Sequence, residues 1–244
     1  MSAPLICFTG VDGCGKSTQA RRLAQHLRSA GWTTVTVWTG GQKTLSHPLV
    51  LLGQRHLRAP HRDADRRYRQ HGASVPVSEQ FGSYMASSHS LFRKHRLLGR
   101  VWTDISLFEH ALEIDYSVLP HLIQNRAVVC DRYIYKSVVN LAVLLDLTPS
   151  EIEALLRHPA VRGVPQPTLY FLLDLPAAVA YNRKHDIPSV EYVERRVPVY
   201  RHVAENSGMT VIDAMQSPDV VESQVWATVE RVLTARGMRP PRRG

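Results

Sequence analysis

The residues best placed to do chemistry lie close to the start of the chain, in Phe8-Thr9-Gly10-Val11-Asp12-Gly13-Cys14-Gly15-Lys16-Ser17-Thr18. The spacing G-x-x-x-x-G-K-[ST] is that of a phosphate-binding loop. Its glycines leave room for backbone N–H groups to converge on phosphate oxygens at the start of a helix. Lys16 would reach the terminal phosphates of a nucleotide, and the Ser17 hydroxyl would hold Mg²⁺. Gly10, Val11, Asp12, Gly13, Cys14, Gly15, Lys16, Ser17 and Thr18 are therefore the candidate nucleotide-binding residues. Asp12 is costly beside phosphates unless it faces a hydroxyl, an Arg or the metal; the plain alternative is a turn former.

A second constellation is Asp131-Arg132-Tyr133. Asp131 can orient Mg²⁺-bound water or a substrate hydroxyl, which makes it a candidate metal residue alongside Ser17. The Arg132 guanidinium can clamp a phosphate bidentately. A strand-end ion pair is the purely structural alternative. Arg183-Lys184 and Arg195-Arg196 flank the Pro188 break, the composition of a lid that closes on a triphosphate. An ordinary basic surface helix has the same composition.

These residues need a scaffold that brings them to one edge. Leu5–Phe8 reads as a buried strand, and Ala20, Leu23, Ala24 and Leu27 recur at helical spacing after Lys16. Thr33–Trp38 is a β-branched strand running into Thr39-Gly40-Gly41-Gln42. Val101–Leu119 reads as a long, substantially buried helix, Ala127–Asp131 as a buried strand and Val138–Leu147 as an apolar helix. Thr148-Pro149-Ser150-Glu151 is a capping box with Pro at the first helical position. Thr168–Leu173 is a strand ending at Asp174. Helix then spans Pro176 to about Lys184 and, beyond the break, Val190–Asn206, where Pro198 implies a kink or an early stop. Met209–Asp213 is the last strand, and Ser217-Pro218-Asp219 opens the final helix. Alternating strands and helices indicate a parallel sheet covered on both faces. Between 45 and 100 the pattern is weakest: a short helix at Pro48–Leu57, a basic loop at His56–Gln70 and a helix at Glu79–Leu98. This reads as a basic insertion within one domain spanning 1–244, with a lid-like segment at 183–196 and a basic tail at 236–244.

The formal charge of +9 and pI near 9.8 call for an anionic partner, which nucleotide phosphates or a nucleic-acid backbone would satisfy. No apolar run approaches the ~20 residues of a membrane span. Cys7, Cys14 and Cys130 lack metal-ligand spacing and read as reduced thiols. The expectation is a cytoplasmic protein without a leader and without a membrane partner. Cys14, inside the loop, reads as a small tolerated side chain.

The succession F-T-G-V-D-G-C-G-K-S-T-Q, C-D-R-Y, P-T-L-Y-F-L-L-D-L-P, Y-V-E-R-R-V-P-V-Y and V-I-D-A resembles the thymidylate kinase family of P-loop kinases. The resemblance spans the chain apart from the middle insertion. It implies a P-loop NTPase fold, a three-layer α/β/α sandwich with a mostly parallel sheet and a helical lid. It also implies γ-phosphate transfer from ATP, with Mg²⁺, to a nucleoside monophosphate, dTMP or similar, and commonly a homodimer. By the resemblance Lys16, Asp12, Arg132, Asp131 and Arg183 are the catalytic set, with Arg132 on the acceptor phosphate and Arg183 in the lid near the donor. The departures all fall on the acceptor side. Trp38-Thr39-Gly40-Gly41 stands where the family has R-E-P-G-G. His110 aligns with an Arg that reads the thymine base. Lys136 replaces a Ser, and Asn140-Leu141 replaces an aromatic–Gln pair. A kinase of the same fold acting on a nucleoside or specialised metabolite is the alternative, followed by a nucleic-acid 5′-end kinase. A P-loop protein that uses its nucleotide as a switch is the non-enzymatic reading.

Overall fold

A computed structural model describes residues 3–40, 96–184 and 187–240. The expected elements at Pro48–Leu57 and His56–Gln70, nearly all of Glu79–Leu98, and the end of the basic tail lie outside the described residues.

Five strands, β1 (Leu5–Thr9), β2 (Thr34–Trp38), β3 (Ala127–Asp131), β4 (Leu169–Asp174) and β5 (Thr210–Asp213), form one sheet in the order β2-β3-β1-β4-β5. Every pairing is parallel. β1 and β3 are buried along their whole length, as expected of central strands covered on both faces. Their apolar runs are therefore continuous, whereas the edge strand β2 alternates in exposure and leaves Trp38 half exposed. Phe8 of β1 stacks on Phe171 of β4 with ring centroids 5.3 Å apart, at the centre of the core. Each such side chain contributes about 1.5–3 kcal/mol of apolar burial.

Helices flank the sheet, and the three-layer α/β/α reading of the sequence holds. α1 (Lys16–Ser29) begins directly after the glycine-rich loop and packs on β1, β2, β3 and the last helix, α9 (Pro218–Ala235). α2 (Arg96–Ile123) lies on β2 and β3, and α3 (Tyr135–Leu145) packs against it. α4 (Pro149–Leu156) opens as the sequence predicts, the Glu151 carboxylate accepting the Thr148 N–H at 2.9 Å. α5 (Pro159–Gly163), α6 (Ala177–Arg183), α7 (Val190–Glu194) and α8 (Val197–Ser207) complete the order. No helix among the described residues is long and apolar enough to cross a membrane.

Three expectations need correction. The helix expected over Val190–Asn206 is two helices, α7 and α8, with Arg195 and Arg196 between them and Pro198 in the first turn of α8. A Pro costs a helix little there, because the first N–H groups have no intrahelical partner. α2 runs past Leu119 to Ile123, with Pro120 inside its last turn. It is also less buried than its apolar content suggests. Leu107, Ala111, Ile114 and Val118 enter the core, but Val101, Phe108, Leu112 and Leu119 are exposed.

Candidate active site

In a parallel sheet the carboxyl ends of all strands share one rim, and ligands bind where neighbouring connections diverge. Thr9, Trp38, Asp131, Asp174 and Asp213 end their strands on this rim. In register, Phe8 pairs with Asp131 and Trp38 with Asp131. The glycine-rich loop, the Asp131-Arg132 corner and the Trp38-Thr39-Gly40 turn therefore meet, although they come from three separate parts of the chain.

Gly15 precedes α1 at φ 94°, and the loop delivers Lys16 and Ser17 into the first helical turn. Lys16 is only 6 % exposed. Its ammonium donates to the carbonyls of Gly10 at 3.0 Å and Val11 at 2.7 Å, and lies 3.6 Å from Cys14 Sγ and 4.0 Å from Asp12 Oδ1. Cys14 is buried, and burial pushes its thiol up, so it is a packed side chain of the loop.

The Ser17 hydroxyl donates to Asp131 Oδ2. Asp131 Oδ1 is buried and has no hydrogen-bond partner among the described residues. A buried carboxylate oxygen left unpaired is costly unless a ligand completes it. Mg²⁺, which keeps several waters and takes one or two protein oxygens besides substrate phosphates, fits this donor pair. No cluster of three or more acidic, His or Cys ligands occurs among the described residues.

Arg132 follows Asp131 with φ 76°, a left-handed conformation that costs a residue with a Cβ about 1–3 kcal/mol. Its Nη2 donates to Asp12 Oδ1 at 2.6 Å. Burial pushes the Asp12 carboxyl up. Lys16 and Arg132, with Lys184 and Lys136 behind them, outweigh it and hold the group below its ordinary value. Asp12 is thus the anion at the centre of a ring of cations, an arrangement poised for a highly charged ligand.

Trp38, His110 and Lys136, where the sequence departs from the family pattern, converge on the same corner. Lys136 Nζ donates to Gly40 O at 2.7 Å, and Glu113 Oε1 accepts the Gly40 N–H at 3.0 Å. The Trp38 ring has the Arg132 guanidinium 5.8 Å and Lys136 Nζ 6.0 Å from its centroid, within cation–π range. His110 is buried between Ser137 Oγ, 2.7 Å from Nδ1, and Thr39 Oγ1, 3.2 Å from Nε2.

Arg183, expected over the donor, lies at the end of α6 and donates to the Ala214 carbonyl at 2.9 Å, just after β5. Arg196, expected in a lid-like segment, is turned inward. Buried, it lies 3.5 Å from the Tyr192 ring centroid, and its Nε has no partner among the described residues. Burial pulls the Arg196 guanidinium down, with Tyr192, Tyr200 and Asp12 opposing. The sequence shows it only as one of a pair of arginines. Thr39 was legible as part of a rim loop, but its link to Arg132 was not: its hydroxyl donates to the Arg132 carbonyl at 3.1 Å.

No family model matches the chain. The chain is similar to the thymidylate kinase of Thermomicrobium roseum, 27 % identical over 97 % of this chain and 98 % of that protein. It is similar to the thymidylate kinase of Geotalea uraniireducens, 32 % identical over 74 % of this chain and 67 % of that protein. A third relative is the thymidylate kinase of Bifidobacterium longum subsp. infantis, 25 % identical over 96 % of this chain and 88 % of that protein.

Proposed function

The chain belongs to the thymidylate kinase family, and from that premise we propose that its acceptor is dTMP or a close nucleoside monophosphate. The protein is an ATP-dependent kinase that uses Mg²⁺ and phosphorylates a nucleoside monophosphate. The observation that carries the reading is the Asp12–Arg132 pair, 2.6 Å apart at the mouth of the phosphate loop. It sets an anion-binding guanidinium against the place where a transferred phosphoryl would leave the donor.

Each residue then has a task. Backbone N–H groups from Gly13 to Thr18 and the Lys16 ammonium take the donor phosphates, Lys16 exchanging its loop carbonyls for phosphate oxygens. Ser17 Oγ and Asp131 would hold the metal, directly or through its water. The metal's chemistry is to neutralise charge on the phosphate oxygens as the phosphoryl moves. Arg132 orients the acceptor's phosphate in line with the donor. Asp12 keeps Arg132 aimed, or takes a sugar hydroxyl of the acceptor when Arg132 turns to the phosphate. Arg183 and Arg196 bring lid charge toward the donor. Phosphoryl transfer needs little covalent help, so positioning and charge account for most of the acceleration.

A homodimer through α2 belongs to the same proposal. Val101, Phe108, Leu112 and Leu119 are exposed and follow one another at seven, four and seven residues. That spacing is one continuous stripe on a helix. Three buried, unpaired thiols support a reducing, cytoplasmic setting.

The test is ADP release from ATP and Mg²⁺ across dTMP, other nucleoside monophosphates, nucleosides, amino sugars and 5′-hydroxyl oligonucleotides. Turnover with dTMP supports the proposal. Silence with every monophosphate and turnover with another class would replace the acceptor while keeping the donor site. Oligonucleotide binding that falls steeply with salt would favour a nucleic-acid substrate.

A further inference from the structure

Arg132 holds a left-handed backbone that a side chain adopts only where its surroundings fix it. Both of its peptide groups are fixed. Its N–H donates to the Phe8 carbonyl at 3.0 Å, and its carbonyl accepts the Thr39 hydroxyl at 3.1 Å. A hydroxyl has one proton, and a carbonyl can only accept. Thr39, fully buried, has therefore committed its proton to Arg132 and receives one from His110 Nε2, 3.2 Å away.

His110 is 4 % exposed. Burial, reinforced by the Lys136 charge and opposed by Glu109, pulls its imidazole down to about 3. The ring is neutral and carries a single N–H. With that proton on Nε2, Nδ1 must accept, and the Ser137 hydroxyl at 2.7 Å donates to it. Direction is thus set at every step from α3, through α2, to the turn after β2 and on to the corner after β3.

We propose that Ser137, His110 and Thr39 form a one-way hydrogen-bond chain that holds the Arg132 backbone where its guanidinium meets Asp12, so that His110 positions the acceptor-phosphate arginine and does not read a base. Both ring nitrogens are engaged by protein hydroxyls, which leaves no imidazole hydrogen bond for a ligand. The family resemblance sets a base-reading Arg at this point of the alignment; here the same place supports the phosphate end of the acceptor. The proposal rests on the reading of Arg132 as the acceptor-phosphate residue.

One test needs no substrate. Long-range ¹H–¹⁵N correlation of the imidazoles in labelled protein, assigned with His110→Gln, should show His110 with its proton on Nε2. The pattern should not change between about pH 5 and 9. A proton on Nδ1, or titration in that range, overturns the chain whatever the acceptor. In Thr39→Val the guanidinium resonances of Arg132, assigned with Arg132→Lys, should move from their wild-type positions; resonances that stay put overturn the link to Arg132.

Kinetics with ATP and dTMP supply the second test. Thr39→Val and His110→Leu should each raise the dTMP KM about tenfold to a hundredfold, while the ATP KM stays within about twofold. The double variant should be no worse than the poorer single, since both cut one chain. His110→Gln, whose amide can still donate to Thr39, should recover part of the loss. Losses confined to thermal stability, or multiplying in the double variant, overturn the positioning role. If wild-type protein leaves dTMP untouched, the acceptor assignment fails, and the two spectroscopic readouts still decide the chain.

Discussion

Arg132 Nη2 and Asp12 Oδ1 stand 2.6 Å apart, joining the corner after β3 to the middle of the phosphate loop. The two residues are distant in sequence, and both are largely shielded from solvent, at 21 % and 29 % side-chain exposure. Under the proposed function, this pair is where the donor and acceptor halves of the site would touch. Arg132→Ala should therefore damage acceptor use far more than ATP binding. We expect the acceptor kcat/KM to fall by at least about a hundredfold, with the ATP dissociation constant changed by less than about threefold. Equal losses in the two titrations would make the arginine structural.

Asp12 also links the site to acid stability. Its folded-state carboxyl lies below its ordinary value, because Lys16 and Arg132 outweigh the effect of burial. A carboxyl lowered by folding contributes stability above its unfolded pKa and loses it as pH falls through the folded one. Asp12→Asn should thus be destabilising at pH 7, and the difference from wild type should shrink as urea midpoints are followed down to pH 3. A difference that holds constant or grows would mean that the carboxylate does not favour the folded state.

The loop glycines are not equivalent. A Cβ on Gly13 would lie 2.6 Å from the Ala180 carbonyl of α6, whereas one on Gly15 would meet nothing within 4 Å. Both residues have positive φ, 87° and 94°. Gly15→Ala should cost about 1–2 kcal/mol, the backbone penalty alone. Gly13→Ala should cost more and should weaken nucleotide binding further, because α6 must shift. Equal urea midpoints for the two variants would contradict the packing of α6 on the loop.

The stripe on α2 makes a prediction about assembly. Wild-type protein should sediment as a dimer, and Phe108→Glu/Leu112→Glu as a folded monomer. A charge on each of two central apolar positions is incompatible with a dry helix–helix seam. A monomeric wild type, or a dimeric double variant, would remove the interface from α2.

Much of this site was legible before the fold was known, for identifiable reasons. Gly10 to Thr18 announces itself because few residue types tolerate a loop whose N–H groups converge. Asp131 was legible because an apolar run that stops at a carboxylate marks a strand end on the ligand rim. The apolar runs Leu5–Phe8 of β1 and Ala127–Cys130 of β3 likewise implied burial on both faces. The exposed half of α2 was not legible: Phe108 and Leu112 carry the same apolar signal as Leu107 and Ala111, and only packing separates them. The split at Arg195-Arg196 was hidden because residues on both sides favour helix, and Pro198 is equally at home in a kink or a first turn. The Thr39–His110–Ser137 connection rests on two hydroxyl–imidazole contacts between remote segments, which no local pattern encodes.

Trp38, half exposed beside Arg132 and Lys136, gives the proposed acceptor corner its own fluorophore. The chain has four tryptophans. Trp32 is buried in the core, Trp102 packs against it, and Trp226 stacks on His26 across the α1–α9 contact. Emission from the unlabelled protein therefore contains one component that ligand-induced motion of two neighbouring cations can quench or shift. Subtracting a Trp38→Phe background would isolate it. Acceptor binding could then be timed in a stopped-flow instrument without dye, coupling enzyme or radioactive nucleotide.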